Sequence, residues 1–288
     1  MLLLVQLYIF AFAALVTALP AAKRGGGGSV YGITYTGKSS DGSCHSSDQV
    51  SQMVKRFQKN GIQRIRTYSQ ECDILPNLLK AIQNTDMQVV AAAWIDGSGK
   101  DEKEISSLVN NLKNANSDQI AGVAIGNECV QGGLMSASDV ASKIKEVKGK
   151  LGGKFKVGTV DTPTGFQGAM LDASDIVFVN IHPFFGAVTA DDAVDNLNQQ
   201  LGSFKGKAGG KDVIVGEVGW PSSGDTNGKA VPSTANLAKV YNALKGSSIK
   251  YYFFEAQDSN WKNGGAFNVE PHWGLIDANG KSKISEFQ

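Results

Sequence analysis

Short runs of β-branched and apolar residues alternate with stretches of helical periodicity from residue 30 almost to the end of the chain, and this alternation limits the folds available to it. Eight strand candidates stand out: residues 30–35 (VYGITY), 62–68 (IQRIRTY), 87–94 (MQVVAAAW), 120–128 (IAGVAIGNE), 155–161 (FKVGTVD), 175–183 (DIVFVNIHP), 212–220 (DVIVGEVGW) and 249–256 (IKYYFFEA). Helical candidates lie between them at residues 48–59, 72–83, 101–114, 137–150, 190–207 and 233–245. Their apolar residues recur at intervals of three and four, as in Val50, Val54 and Phe57. Strands joined through a helix run parallel, because returning to the same edge needs a crossover. Eight such units in about 260 residues match a closed (β/α)8 barrel, the TIM barrel. An open doubly wound sheet is the alternative, but its glycine-rich phosphate loop would follow the first strand, and Gly32 and Gly37 do not form one.

Charge and termini narrow the setting. With 28 Lys and Arg against 27 Asp and Glu, the net charge of +1 lacks the basic footprint that nucleic acid requires. Residues 1–18 (MLLLVQLYIFAFAALVTA) are read as an export signal; a spanning anchor would need a longer run and flanking basic residues. Residues 19–28, with the dibasic pair Lys23-Arg24, form a lead-in to a single domain over residues 29–288. The polar C-terminus, KSKISEFQ, offers no lipid-anchor tail. A soluble monomer, secreted or resident in a cell wall, is expected. Three cysteines allow one disulfide in an exported chain; Cys44 and Cys72 follow neighbouring strands, so theirs is the favoured of three pairings.

In a (β/α)8 barrel, function sits at the C-terminal ends of the strands. Strand four ends in Gly126-Asn127-Glu128 and strand seven in Gly216-Glu217-Val218-Gly219-Trp220. Glutamate is disfavoured in strands and costly to bury, so acids closing apolar strands need a specific explanation. Glu128 and Glu217 can face each other across a bound chain, as retaining glycoside cleavage requires of an acid/base and a nucleophile about 5 to 5.5 Å apart. Glu128 is read as the acid/base and Glu217 as the nucleophile. Asn127 is placed to bond a sugar hydroxyl as positive charge develops on the ring. The three histidines, His45, His182 and His272, show no metal-binding spacing, so neither metal nor other cofactor is expected.

GNE after strand four and GEVGWPS after strand seven, with YGITY, RIRTY, VNIHPFF and FFEAQD, together resemble glycoside hydrolase family 17 over almost the whole chain. The chain is similar in particular to the short fungal cell-wall branch. The resemblance implies a retaining β-1,3-glucan enzyme, with Glu128 as acid/base, Glu217 as nucleophile, and Glu255 at a family position that is acidic but belongs to neither role, where it is expected to orient Glu217 or bind a sugar hydroxyl. Branch resemblance favours a β-1,3-glucanosyltransferase acting on glucan oligosaccharides and polysaccharide. An endo-β-1,3-glucanase and a non-catalytic wall-glucan-binding protein are the alternatives. Tyr35 and Tyr68 are candidates to hydrogen-bond near the nucleophile or floor the sugar subsites. Phe185, Trp220, Trp261 and Trp94 are candidate pyranose platforms. His182 is a candidate hydroxyl ligand, though plant members carry tyrosine there. Asp161 and Lys262 are read as either substrate contacts or local structure.

Overall fold

The computed structural model describes residues 28–288; the expected export signal and the lead-in up to residue 27 lie outside the described residues. Eight parallel strands close into a barrel in chain order. They are β1 (Gly32–Thr34), β2 (Arg64–Arg66), β3 (Gln88–Ala93), β4 (Ile120–Asn127), β5 (Val157–Asp161), β6 (Ile176–Asn180), β7 (Asp212–Val218) and β8 (Tyr251–Phe253). Seven α-helices cross between them: α1 (Ser47–Lys59), α2 (Ile74–Ala81), α3 (Asp101–Lys113), α4 (Ala137–Leu151), α5 (Gly168–Ala173), α6 (Ala193–Lys207) and α7 (Thr234–Lys245). After β8 the chain makes short 3-10 turns, Ala266–Asn268 and Glu270–His272. Helix α5 is absent from the periodicity reading because six residues are too few to display a 3.6-residue repeat. Among the described residues no helix is long and apolar enough to cross a membrane.

The continuous apolar runs hide a period of two, because both faces of a parallel barrel strand are buried. Val90, Ala92, Ala124, Val160, Ile176, Phe178, Ile214 and Tyr252 pack inside the barrel. Their neighbours Val89, Ala91, Ala93, Val177, Val179, Val213 and Val215 pack outward beneath the helices. Helix α1 shows how one crossover is fixed: Ser46 and Gln49 form a reciprocal capping box, and Val50, Val54 and Phe57 supply the buried face. At the seam between β1 and β8, Gly32 pairs with Tyr252. A Cβ on Gly32 would lie 2.6 Å from the Tyr252 ring, so only glycine lets that ring fill the barrel floor.

The loops after β1 and β2 are joined by the Cys44–Cys72 disulfide, with a Cα–Cα distance of 5.2 Å, and Cys129 is a buried free thiol. The bridge closes a loop across 28 positions of sequence, a constraint on the unfolded chain worth about 2–4 kcal/mol. The double variant C44S/C72S is therefore expected to melt several degrees below the parent in circular dichroism, with the same far-ultraviolet spectrum. An unchanged melting temperature would refute the stabilising role.

Candidate active site

Regular alternation along β7 would send Ile214 and Gly216 inward and Glu217 outward. The pairing instead slips between β6 and β7: Val179 faces Val215, but Asn180 faces Glu217. One extra residue in β7 turns Glu217 into the barrel mouth, while Val215 and Val218 stay in the outer core. Strand β4 carries the same device, since Ala124 pairs with Gly158 but Asn127 with Val160. Glu128 follows at φ 53°, a left-handed conformation that costs a non-glycine residue on the order of 1–3 kcal/mol. Its N–H donates to the Val160 carbonyl at 2.9 Å, which anchors the turn to β5.

Arg66, the last residue of β2, is 1% exposed and reaches both slipped strands. Its Nη1 donates to the Gly216 carbonyl at 2.9 Å and to Glu217 Oε1 at 2.8 Å, and its Nη2 donates to Asn127 Oδ1 at 2.7 Å. The Tyr68 hydroxyl also donates to Glu217 Oε1, at 2.9 Å. On the other carboxylate oxygen, His182 Nε2 stands 3.2 Å from Oε2. Burial by itself would raise the Glu217 pKa, but the His182 hydrogen bond and the Arg66 charge overcome it and hold the carboxyl down at about 2.

Glu128 is partly exposed and is held differently. Its Oε1 accepts one bond from Asn180 Nδ2, at 2.7 Å, and the same Nδ2 lies 3.1 Å from Asn127 Oδ1. Desolvation, then repulsion from Glu217, raise its pKa above the ordinary glutamate value. One cleft thus holds two glutamates whose pKa values are pushed in opposite directions, Glu217 down and Glu128 up, the separation by which environment can give two carboxyls different roles.

Both carboxyls open on a cavity of about 480 Å³. Gln131, Thr162 and Thr164 make one wall polar, and Phe185, Phe254 and Trp273 make the other aromatic. Asn180 Oδ1, His182 Nδ1 and Trp273 Nε1 are buried beside the cavity without hydrogen-bond partners in the protein. Glu255 is buried and bonds Lys262 at 2.9 Å; desolvation raises its pKa against the pull of that cation.

The structure does not bring every candidate to the cleft. Trp220 is fully buried, its Nε1 donating to the Val231 carbonyl and its ring packed on Phe184, so it is core and not a sugar platform. Tyr35 is likewise buried, its hydroxyl bonded to His45 at 2.5 Å and its ring against Phe57, away from Glu217. Both were expected near substrate because they close strands, yet each finds its polar partner in an adjacent loop. Asp161 accepts from the Val130 and Thr162 N–H groups and pins the turn after Glu128. Phe185 is 45% exposed and lines the cavity, whereas Trp261, 43% exposed, sits between Lys38 and Lys262 outside its lining, and Trp94 is exposed after β3. Among the described residues no group of three or more His, Cys, Asp or Glu side chains is placed to hold a metal.

Sequence reasoning missed Arg66, Asn180 and Trp273. Arg66 had a signal, a charge at an inward strand position, and so had Asn180 at the end of an apolar run. Trp273 lies in a loop without periodicity and had none.

The family model described as the BtgE/BtgC glycoside hydrolase domain matches residues 32–274. A protein of Aspergillus flavus named probable beta-glucosidase btgE is 33% identical over 271 residues, which cover 91% of this chain and 44% of that one. The probable family 17 glucosidase SCW10 of Saccharomyces cerevisiae is 32% identical over 260 residues, 86% of this chain and 64% of that one. The chain therefore spans from under half to under two thirds of the length of these curated relatives. Among solved structures, an active-site mutant of Rhizomucor miehei β-1,3-glucanosyltransferase in complex with laminaritriose matches with a TM-score of 0.79 and 26% identity, over 90% of this chain and 96% of that one.

Because the folded-state pKa of Glu217 lies below its ordinary 4.5, its contribution to stability is present above that value and is lost as pH falls toward the folded value. Replacing Arg66 by Met leaves a buried carboxylate without its cation, at a cost of about 3–5 kcal/mol. R66M is expected to melt lower at neutral pH and to lose less relative to the parent as Glu217 protonates. An equal deficit from pH 2 to pH 7 would exclude this role for the pair.

Proposed function

The chain belongs to the BtgE/BtgC glycoside hydrolase domain family, and on that premise we propose that it is a retaining β-1,3-glucan-active enzyme whose principal reaction is glucanosyl transfer. The observation that carries the reading is the placing of Glu128 and Glu217 on one cleft with unlike partners, which shift their pKa values in opposite directions. Glu217 Oε1 is engaged by Arg66 and Tyr68, so Oε2, which only His182 contacts, is the oxygen that would attack an anomeric carbon. Glu128 gives its proton to the departing glycosidic oxygen as the bond to the leaving chain breaks and a glycosyl ester forms on Glu217. The ionised Glu128 then takes a proton from an incoming hydroxyl, which attacks the anomeric carbon and releases Glu217 as carboxylate. An acceptor glucan makes this step transfer, and water makes it hydrolysis.

Two observations support transfer over β-1,3-glucan. The similar Rhizomucor miehei enzyme is a β-1,3-glucanosyltransferase crystallised with laminaritriose. Phe185, 45% exposed and backed by the buried Phe254 and Trp273, offers an apolar face on which an acceptor sugar can be positioned and water displaced. A secreted or wall-resident location belongs to the same proposal.

Incubation with β-1,3-linked oligosaccharides of defined length, followed by mass spectrometry from the earliest times, is expected to give products longer than the substrate. Shorter products alone would make the enzyme a hydrolase, and no turnover would leave a binding protein. E217Q is expected to lose all turnover while still binding the oligosaccharide in calorimetry; wild-type activity in that variant would remove Glu217 from the nucleophile role. Activity should fall on the alkaline side as Glu128 ionises, at a pH above the ordinary glutamate value, because the acid form is the one needed to start the reaction. A rate that fell off with the pKa of an ordinary glutamate would remove Glu128 from the acid role.

A further inference from the structure

Lys283 lies beyond residue 274, where the family match ends, and its side chain is nearly buried. Its ammonium pairs with Asp258 at 2.5 Å, donates to Ser222 Oγ at 2.7 Å, and reaches the His272 carbonyl at 3.3 Å. Those partners come from three segments: the loop after β7, the loop after β8 and the 3-10 turn Glu270–His272. Ser222 reinforces the junction, its N–H and hydroxyl both donating to the His272 carbonyl at 2.9 and 3.0 Å. On the other side, Asp258 accepts from the Gly274 N–H at 2.9 Å. The residue enclosed between these two backbone anchors is Trp273.

Trp273 is buried at the cleft, and its indole meets the His182 ring edge-on with centroids 4.8 Å apart. Phe254 and Phe185 close on the same imidazole at 5.3 and 6.1 Å. His182 in turn is the group on Glu217 Oε2. A backbone shift at residues 272–274 would move the indole, release the imidazole, and loosen its contact with the carboxylate.

We propose that Lys283, paired with Asp258, is a positioning residue for the nucleophile: it brackets Trp273 and so holds His182 against Glu217. Lys283 touches neither Glu217 nor the cavity; besides Asp258, the charges that face it are Glu255 and Asp277, and its hydrogen bonds reach Glu217 only through this chain of contacts. A buried ion pair is expensive to assemble, and a simple tether could have been apolar; the pair here fixes two backbone groups on either side of one ring, which an apolar contact cannot do. The inference rests on the assignment of Glu217 as nucleophile for its functional meaning, but its geometry can be read without turnover.

The test follows the Glu217 carboxyl by carbon-13 NMR in the free protein, its line identified by its disappearance in E217Q. The variant D258N/K283M removes both buried charges together, so it leaves no unpaired ion and nearly cancels any direct field on Glu217. The groups that face Glu217, namely Arg66, His182, Tyr68, Glu128 and Glu255, are all retained. In a variant with native circular dichroism, the Glu217 midpoint is expected to rise by about one unit. S222A, which deletes one hydroxyl and no charge, is expected to move it less and in the same direction. With laminari-oligosaccharides as substrate, kcat should fall about tenfold and more than KM rises. A Glu217 midpoint unchanged in both folded variants would overturn the proposal, even if the parent enzyme is active. A parent without turnover but with a shifted midpoint in the variants would support the positioning role and count against the proposed reaction.

Discussion

The buried contact between Arg66 and Glu217 governs how this barrel mouth is assembled. A guanidinium at 1% exposure must be matched by acceptors in fixed places, and the match is made by three groups from two other strands: the Gly216 carbonyl, the Glu217 carboxylate and the Asn127 amide oxygen. Two of those groups exist at their positions only because β4 and β7 each carry an extra residue. The carbonyl displaced from regular pairing by the slip in β7 is the one that Arg66 accepts as a partner. Backbone irregularity and buried charge thus compensate each other, the slipped strands supplying the acceptors that the guanidinium needs. Arginine suits the place because its planar fork serves several acceptors at once, which a lysine ammonium on a flexible stem cannot do with the same geometry.

The same arrangement accounts for the unequal glutamates. Both begin with a desolvation cost that favours the neutral acid. Glu217 receives the arginine, a tyrosine hydroxyl and an imidazole, and stays ionised. Glu128 receives one amide bond and the repulsion of its neighbour, and its pKa is raised. No difference of residue type is needed, since both are glutamates; the division comes from which side of the mouth the cation occupies.

Much of this was legible in the residues themselves. Alternation gave the eight parallel strands, and acids ending apolar runs gave both carboxylates. The disulfide followed from the loops that carry Cys44 and Cys72. The register slips were not legible, because an extra strand residue leaves no mark in an apolar run such as VIVGEV, and simple alternation would have pointed Glu217 away from the cleft. Trp220 and Tyr35 were misplaced for a related reason: a strand-end position says which rim a residue is near, but not whether its ring turns into the core to reach a carbonyl or an imidazole. Trp273 belongs to a loop whose shape is dictated by long-range contacts with Asp258 and Lys283, which no local pattern encodes.

Cys129, next in sequence to Glu128, bears on how a chain with an odd number of cysteines keeps one disulfide. Thiol–disulfide exchange proceeds through the thiolate. Burial pushes the Cys129 thiol up to about 12, and its Sγ is already engaged with the Ile95 carbonyl at 3.2 Å. In the closed barrel the sulfur next to Glu128 is both buried and protonated at neutral pH, which disfavours its attack on the Cys44–Cys72 bridge. Exchange with the bridge is thereby favoured in chains whose barrel has not yet closed over Cys129.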